Sequence, residues 1–219
     1  MTRRSGDSSA RSSRWSIAAE VTDSPTAATP SSPAQAALPE VDPQAYREVL
    51  GRFVTGVTVV TTLEQKAEGG QPWGTTVNSF TGVSLDPPLI LVCIGRGRSI
   101  HPIIERTRLF GVNVLGEGSQ QLSDCFAGAP SELPRSAFCN AAYELSDSGV
   151  PALEHAIAFL ACHVEEVIPA GDHTIYIGRV LETATRDEPG WPLLYFRRRY
   201  LAIERAATAD LLGKADKLR

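Results

Sequence analysis

Residues 73–99 read WGTTVNSFTGVSLDPPLILVCIGRGRS. Two apolar, strand-like pieces enclose a small polar segment. Within it Gly74, Thr75, Thr76, Asn78, Ser79, Thr81, Gly82 and Ser84 cluster inside eleven residues. Hydroxyls, an amide and accessible backbone N–H groups are what a protein offers an anionic, hydrogen-bonding ligand. Asp86-Pro87-Pro88 then sets a rigid extended turn. Leu89 to Ile94 is a continuous apolar run, long enough for a buried strand and too short to cross a membrane. From the residues alone, a polar edge strand with a proline turn explains this stretch as well as a binding segment does.

Upstream, Val57 to Thr62 is a β-branched strand. Glu64 to Gln71 reads as a polar hairpin loop, with Trp73 to Phe80 as the returning strand. Asp42-Pro43 is a helix start, an N-cap acceptor followed by proline in the first turn. Tyr46, Val49, Leu50 and Phe53 fall on one face of that helix and are expected in the core. Downstream, GRGRS at 95–99 lacks the third glycine of a dinucleotide fingerprint. Arg98 and Ser99 precede a short helix marked by Ile100, Ile103 and Ile104, so they read either as a phosphate holder or as a solvated loop. His101, in that helix's first turn, is expected to be structural or solvent-facing.

Phe110 to Leu115 is the next strand and Ser119 to Ala127 a helix, followed by an irregular stretch from Gly128 to Ala142. Ala156 to Ile168 and Thr174 to Glu182 form a hairpin about the turn holding Asp172 and His173. Trp191 to Phe196 is the last strand, with Arg197-Arg198-Arg199 as its basic end. Many short strands and no βαβ alternation argue for a mainly β chain and suit a closed antiparallel barrel.

The chain has 219 residues and a formal net charge of −4, which leaves no general basic footprint for nucleic acid. Residues 1–40 are rich in Ser, Ala, Pro, Thr and Arg and are expected to be a disordered tail. Arg3-Arg4 is followed by no apolar segment, so an export signal is not expected. Residues 41–205 form one expected domain, and 206–219 a C-terminal extension. Cys93, Cys125, Cys139 and Cys162 show no CxxC spacing. Four cysteines in a chain of this length imply no disulfide framework and fit a reducing cytoplasm. Cys93 and Cys162 read as small core hydrophobes. The four histidines are scattered, so no metal site is expected.

The strings TGVTVVTT (55–62), NSFTGVSLDPPLILVCI (78–94), FGVNVL (110–115), GDHTIYIGRV (171–180) and PLLYFRRRY (192–200) occur in an order that resembles the short-chain flavin reductase family. These are the reductase partners of two-component flavin monooxygenases, of the 4-hydroxyphenylacetate hydroxylase type. The resemblance spans residues 45–203. It implies a split β-barrel with a few short helices, a homodimer, and hydride transfer from NADH or NADPH to FMN or FAD. The reduced flavin would then diffuse to a partner monooxygenase. No membrane or nucleic-acid partner is implied, and the location expected is cytoplasmic.

On this resemblance Thr76, Val77, Asn78, Ser79 and Ser84 are candidates for the isoalloxazine edge and ribityl chain. Arg98 and Ser99 are candidates for the phosphate. Phe126 and Ala127, in the CFAG string, flank the pocket. His173 matches a Gly-x-His turn beside the nicotinamide and is the candidate catalytic residue. Tyr195 and Arg198 match the family's C-terminal string, where an aromatic can stack and an arginine can pair with pyrophosphate. Two other readings share the fold: an oxidase with fixed flavin, and a non-enzymatic flavin-binding redox sensor.

Overall fold

The computed structural model describes residues 40–67, 69–186 and 190–203. Of the expected tail at 1–40 only Glu40 is described, and the C-terminal extension at 206–219 lies outside the described residues.

Among the described residues three α-helices and twelve strands follow one another. They are α1 (Pro43–Leu50), β1 (Thr55–Gly56), β2 (Thr58–Lys66), β3 (Gly69–Val77), β4 (Thr81–Leu85), β5 (Pro88–Gly95), α2 (His101–Thr107) and β6 (Leu109–Leu115). Then come α3 (Gln120–Ala127), a 3-10 helix at Arg135–Asn140, β7 (Tyr143–Leu145), β8 (Pro151–Leu153), β9 (Ala156–Ala170), β10 (His173–Thr185), β11 (Leu194–Phe196) and β12 (Arg199–Leu201). The chain is mainly β, as expected.

Seven strands form one antiparallel sheet in the order β3-β2-β6-β9-β10-β5-β4. The ladders described end at β3 on one side and β4 on the other, and none of them joins those two edges. On β5 the alternation is clean: Ile90, Val92 and Ile94 are buried and Leu89, Leu91 and Cys93 are half-covered. Cys93 is thus only half-buried, unlike the fully buried Cys162. The buried face gathers Val60, Ile94, Phe110, Val112, Val164 and Tyr176 into one core, with Ile100 just before α2 and Ile104 within it closing the core. Packing here is close enough to demand glycine at Gly178, where a Cβ would stand 2.5 Å from the Phe110 ring. Tyr176 carries a buried hydroxyl and satisfies it on His101 Nδ1 at 2.9 Å. His101 Nε2 pairs with the Thr174 hydroxyl at 2.8 Å, so His101 is structural.

Some boundaries differ from the sequence reading. The expected loop at 64–71 is mostly ladder, because β2 and β3 stay paired from Thr58–Val77 to Lys66–Gly69. The last strand is shorter than expected and is followed by another, β12, with Arg197 and Arg198 in left-handed conformation at the turn between them. The short β7–β8 hairpin was not anticipated. It is fastened to the sheet by Asn113, whose side chain donates to Val59 O and Thr61 Oγ1 and accepts from Leu153 N at 2.7 Å.

Helix α1 begins as expected: Asp42 caps it by accepting from Ala45 N at 2.7 Å. Its apolar face does not enter the core. Val49 is 70% exposed and Phe53 beyond the helix 74%, and Tyr46 and Leu50 are also exposed. The helical spacing reported amphipathicity correctly. Spacing does not say which surface the stripe meets.

Candidate active site

The site lies where the end of β3, the end of β5 and the start of β10 meet. Register places it: His173 stands opposite Gly95 on β5 and Ala170 on β9. The loop after β5 is tied to the β9–β10 turn by a hydrogen bond from Arg96 N to Asp172 O. A cavity of about 550 Å³ results, lined by Thr75 to Ser79, by Cys93 to Arg98, and by Asp172 and His173. Thr76, Val77, Asn78, Ser79, Arg98 and His173, taken from separate strings of the sequence, are brought together.

A second cavity of about 490 Å³ adjoins the first and shares Thr75, Gly97 and Arg98 with it. Its other walls are β3 from Gln71 to Gly74, Ser99 and Ile100, and the α3 end with the 3-10 helix. Phe126 lies here against the β3 backbone. A Cβ on Gly74 would stand 2.6 Å from its ring. Arg98 donates to the Ala127 carbonyl at 2.6 Å, which fixes the guanidinium stem between the two cavities. A third cavity of about 390 Å³, lined by residues 152–159 and 184–186 with Glu144, holds none of the candidate residues.

Hydrogen bonds divide the polar residues by role. Thr76 Oγ1 donates to Ser123 O at 2.7 Å, and Ser79 Oγ bridges the Cys93 N–H and carbonyl. Those hydroxyls commit their protons to the walls and keep only acceptor capacity for a ligand. Thr75 Oγ1 is different. It is buried, it lines both cavities and it has no hydrogen-bond partner. A buried unsatisfied hydroxyl is costly.

His173 Nδ1 is 2.7 Å from Asp172 Oδ1. A carboxylate only accepts, so the proton is on Nδ1 and Nε2 is the ring's other face. Nε2 lies 3.8 Å from where a Cβ on Gly95 would be. The hydrogen bond from His173, helped by its charge, holds the Asp172 carboxyl below the usual carboxylate range.

Three candidates sit elsewhere. Ser84 is on β4 and is not among the residues lining either cavity. Tyr195 packs edge-on against the Tyr200 ring at 5.4 Å, Tyr200 in turn hydrogen-bonds Ser123 and Asp124 of α3, and Tyr195 lines neither cavity. Arg198 lines a small separate hollow with Arg47, Arg52 and Arg197. Within one chain the C-terminal string does not reach the cavity. Conversely, Thr75 and Asp172 line the first cavity and Thr75 and Arg135 the second, and none of the three is among the ligand candidates read from the sequence. Thr75 and Asp172 adjoin residues that were. Arg135 lies in the irregular stretch, where no period points to a direction.

The cysteine reading needs correction. Cys125 in the last turn of α3 and Cys139 in the 3-10 helix are joined by a disulfide, and Cys93 and Cys162 are free. A spacing of 14 residues resembles no motif, and the pair meets only because the chain doubles back on α3.

The family described as flavin reductase like domain matches residues 50–204. The chain is 41% identical over 166 residues to the NADH-dependent flavin reductase of a Rhodococcus species, covering 76% of this chain and 89% of that one. The Streptomyces globisporus NADH:FAD oxidoreductase, solved with NAD and FAD fragments, superimposes with a TM-score of 0.66 at 32% identity. That match covers 78% of this chain and 99% of the other. The styrene monooxygenase flavin reductase of Pseudomonas putida superimposes with a TM-score of 0.63 at 34% identity, over 73% of this chain and 97% of its own.

Proposed function

The chain belongs to the flavin reductase like domain family, and we propose that it transfers hydride from NADH to FAD and supplies the reduced flavin to a separate monooxygenase. One observation carries this reading: the backbone of 75–79, Arg98 and His173 converge on one cavity whose wall holds an unsatisfied threonine hydroxyl. When bound, nicotinamide and flavin supply the redox chemistry; the protein supplies position and electrostatics.

The residues present fit such ligands. Asn78 and the 75–79 backbone offer the donors and acceptors a flavin ring edge needs. Arg98, with its stem fixed on Ala127, is the proposed phosphate partner, with Ser99 and Arg135 in the adjoining cavity. Two confluent cavities suit a dinucleotide flavin, which favours FAD over FMN. His173 presents Nε2 to the nicotinamide side, held in one tautomer and orientation by Asp172. Gly95 opposite keeps that approach clear of side chains.

We place the protein in the cytoplasm as a homodimer with a split-barrel core. The exposed apolar face of α1, from Tyr46 to Phe53, supports the dimer, because such a stripe is costly in water and suits a second copy. Among the described residues no helix is long and apolar enough to cross a membrane. The deciding experiment follows nicotinamide absorbance with purified protein and added FMN, FAD or riboflavin. Oxidation that depends on added flavin and is fastest with FAD and NADH is expected. No oxidation with any pair would overturn the reading.

A further inference from the structure

The wall of the second cavity contains a feature that hydride transfer does not use. The Cys125–Cys139 disulfide joins α3 to the 3-10 helix, and the segment between them carries Arg135, Ser136 and Phe138 into the cavity wall. Phe138, Cys139 and Asn140 are three successive non-glycine residues at positive φ, of 52°, 57° and 50°. That conformation is unfavourable for L-amino acids and persists only where surrounding contacts impose it. Cys139 is buried in a core cluster with Phe138 packed against it, and specific contacts hold the turn. They include the disulfide, the edge-on packing of Phe138 against Phe126 and Tyr143, and the hydrogen bonds from Cys139 N to Pro134 O and from Ala141 N to Phe138 O.

We propose that Cys125 and Cys139 are a reversible redox-modification site, whose disulfide form clamps the rim of the flavin pocket and whose dithiol form loosens it. This rests on the flavin-pocket reading above. The reagents are small molecules, because both residues are almost fully buried and are approached from the cavity. Reduced flavin released into air passes two electrons to oxygen and yields hydrogen peroxide, so the proposed activity itself supplies an oxidant. One thiolate attacks peroxide, breaking the O–O bond to give a sulfenic acid and hydroxide. The second thiol then displaces water and forms the S–S bond. Two equivalents of a small thiol reverse the step, leaving as their own disulfide. Cysteine pairs that do this in reducing compartments are typically sensors.

The other thiols do not compete on equal terms. Cys162 is buried and its thiol is pushed up to about 12, so it is scarcely ionised. Cys93 is half-buried on β5 with no second cysteine joined to it. The direction of control follows from the geometry. A clamped rim holds Arg135 and Phe138 in place and retains flavin. Less reduced flavin then escapes, and less peroxide forms.

The test uses the full chain, treated with hydrogen peroxide or with dithiothreitol, and three readouts. Alkylation followed by intact mass is expected to count two free thiols after peroxide and all four after dithiothreitol. Trypsin cleavage after Arg135 is expected to be slower in the peroxide-treated protein. FAD, followed by its fluorescence, is expected to bind about five-fold tighter to that form, the scale of pre-ordering a binding loop. A Cys125→Ser, Cys139→Ser variant is expected to match the dithiol form under both treatments. Four free thiols after peroxide, or equal cleavage rates and equal FAD affinity in both states, overturn the proposal. Absence of turnover in both states bears on the reductase reading instead, since thiol count and trypsin cleavage need no flavin.

Discussion

Asp172 accepts a 2.7 Å hydrogen bond from His173 at the mouth of the larger cavity, and both residues belong to one turn and the strand it starts. The pair fixes which ring nitrogen faces the site. His173→Ala is expected to lower kcat about ten- to a hundred-fold, the scale for losing a positioning group. FAD affinity is expected to stay within about two-fold, since the backbone of 75–79 and Arg98 remain. Steady-state rates beside fluorescence titration check this; equal rates in variant and parent would remove His173 from the site.

Acid stability has a definite sign at this pair. The Asp172 carboxyl is depressed by the hydrogen bond from His173, and Glu165 is depressed by one from Arg179. Each therefore stabilises the fold above its unfolded value of about 4, and that contribution disappears as pH falls through the lower folded value. Denaturant midpoints measured from neutral pH to below pH 3 are expected to fall more steeply in the parent than in Asp172→Asn. Superimposable pH curves would show that the pair does not persist in solution.

Gly74→Ala is expected to displace the Phe126 ring, because the added methyl would stand 2.6 Å from it. Overpacking of this kind costs about 1–3 kcal/mol. Thermal unfolding of a chain this size would shift down by roughly 2–4 °C per kcal/mol. The same variant is expected to weaken FAD binding, since Phe126 walls the second cavity. An unchanged Tm and Kd would mean that the ring moves aside freely.

Assembly is tested on α1. Val49→Glu or Phe53→Glu is expected to convert a dimer to monomer in light-scattering measurements, with little change in secondary structure, because both side chains are exposed in the single chain. A dimer that survives both changes would take the interface elsewhere.

Asn113→Leu would strand the Leu153 N–H and the Thr61 hydroxyl's neighbour in a buried network. A loss of about 2–3 kcal/mol is expected, read as a lowered Tm. If Tm holds, water has entered the network.

Much of this was legible in the sequence. Alternation at Ile90, Val92 and Ile94 marks a strand with one buried face, and the hairpin about Asp172 was readable from its turn residues and flanking apolar runs. The candidates in the 76–79 stretch, with Arg98 and His173, follow from motif order, and they line one cavity. Other features were not legible, each for a physical reason. Helical spacing on α1 shows an apolar stripe and is silent on what covers it. Arg198 and Tyr195 belong to a string that reaches the site in sequence order only; within one chain the β11–β12 hairpin packs on α3 instead. The Cys125–Cys139 bond depends on a loop returning across α3, which no local periodicity encodes. Thr75 was passed over beside Thr76 because residue type does not reveal which hydroxyl lacks a partner.

The pairing of β10 with β5 has a consequence for how such a site can change over time. His173 occupies one phase of a strand whose other phase, Thr174, Tyr176 and Gly178, is buried. Moving the imidazole by a single residue would exchange the two phases and push polar and apolar side chains to the wrong faces. Selection for a well-packed interior therefore guards the position of His173 even where the cavity it lines is not itself under pressure. New specificities in this lineage are expected to arise by altering the 128–142 segment, which can drift without disturbing that phase.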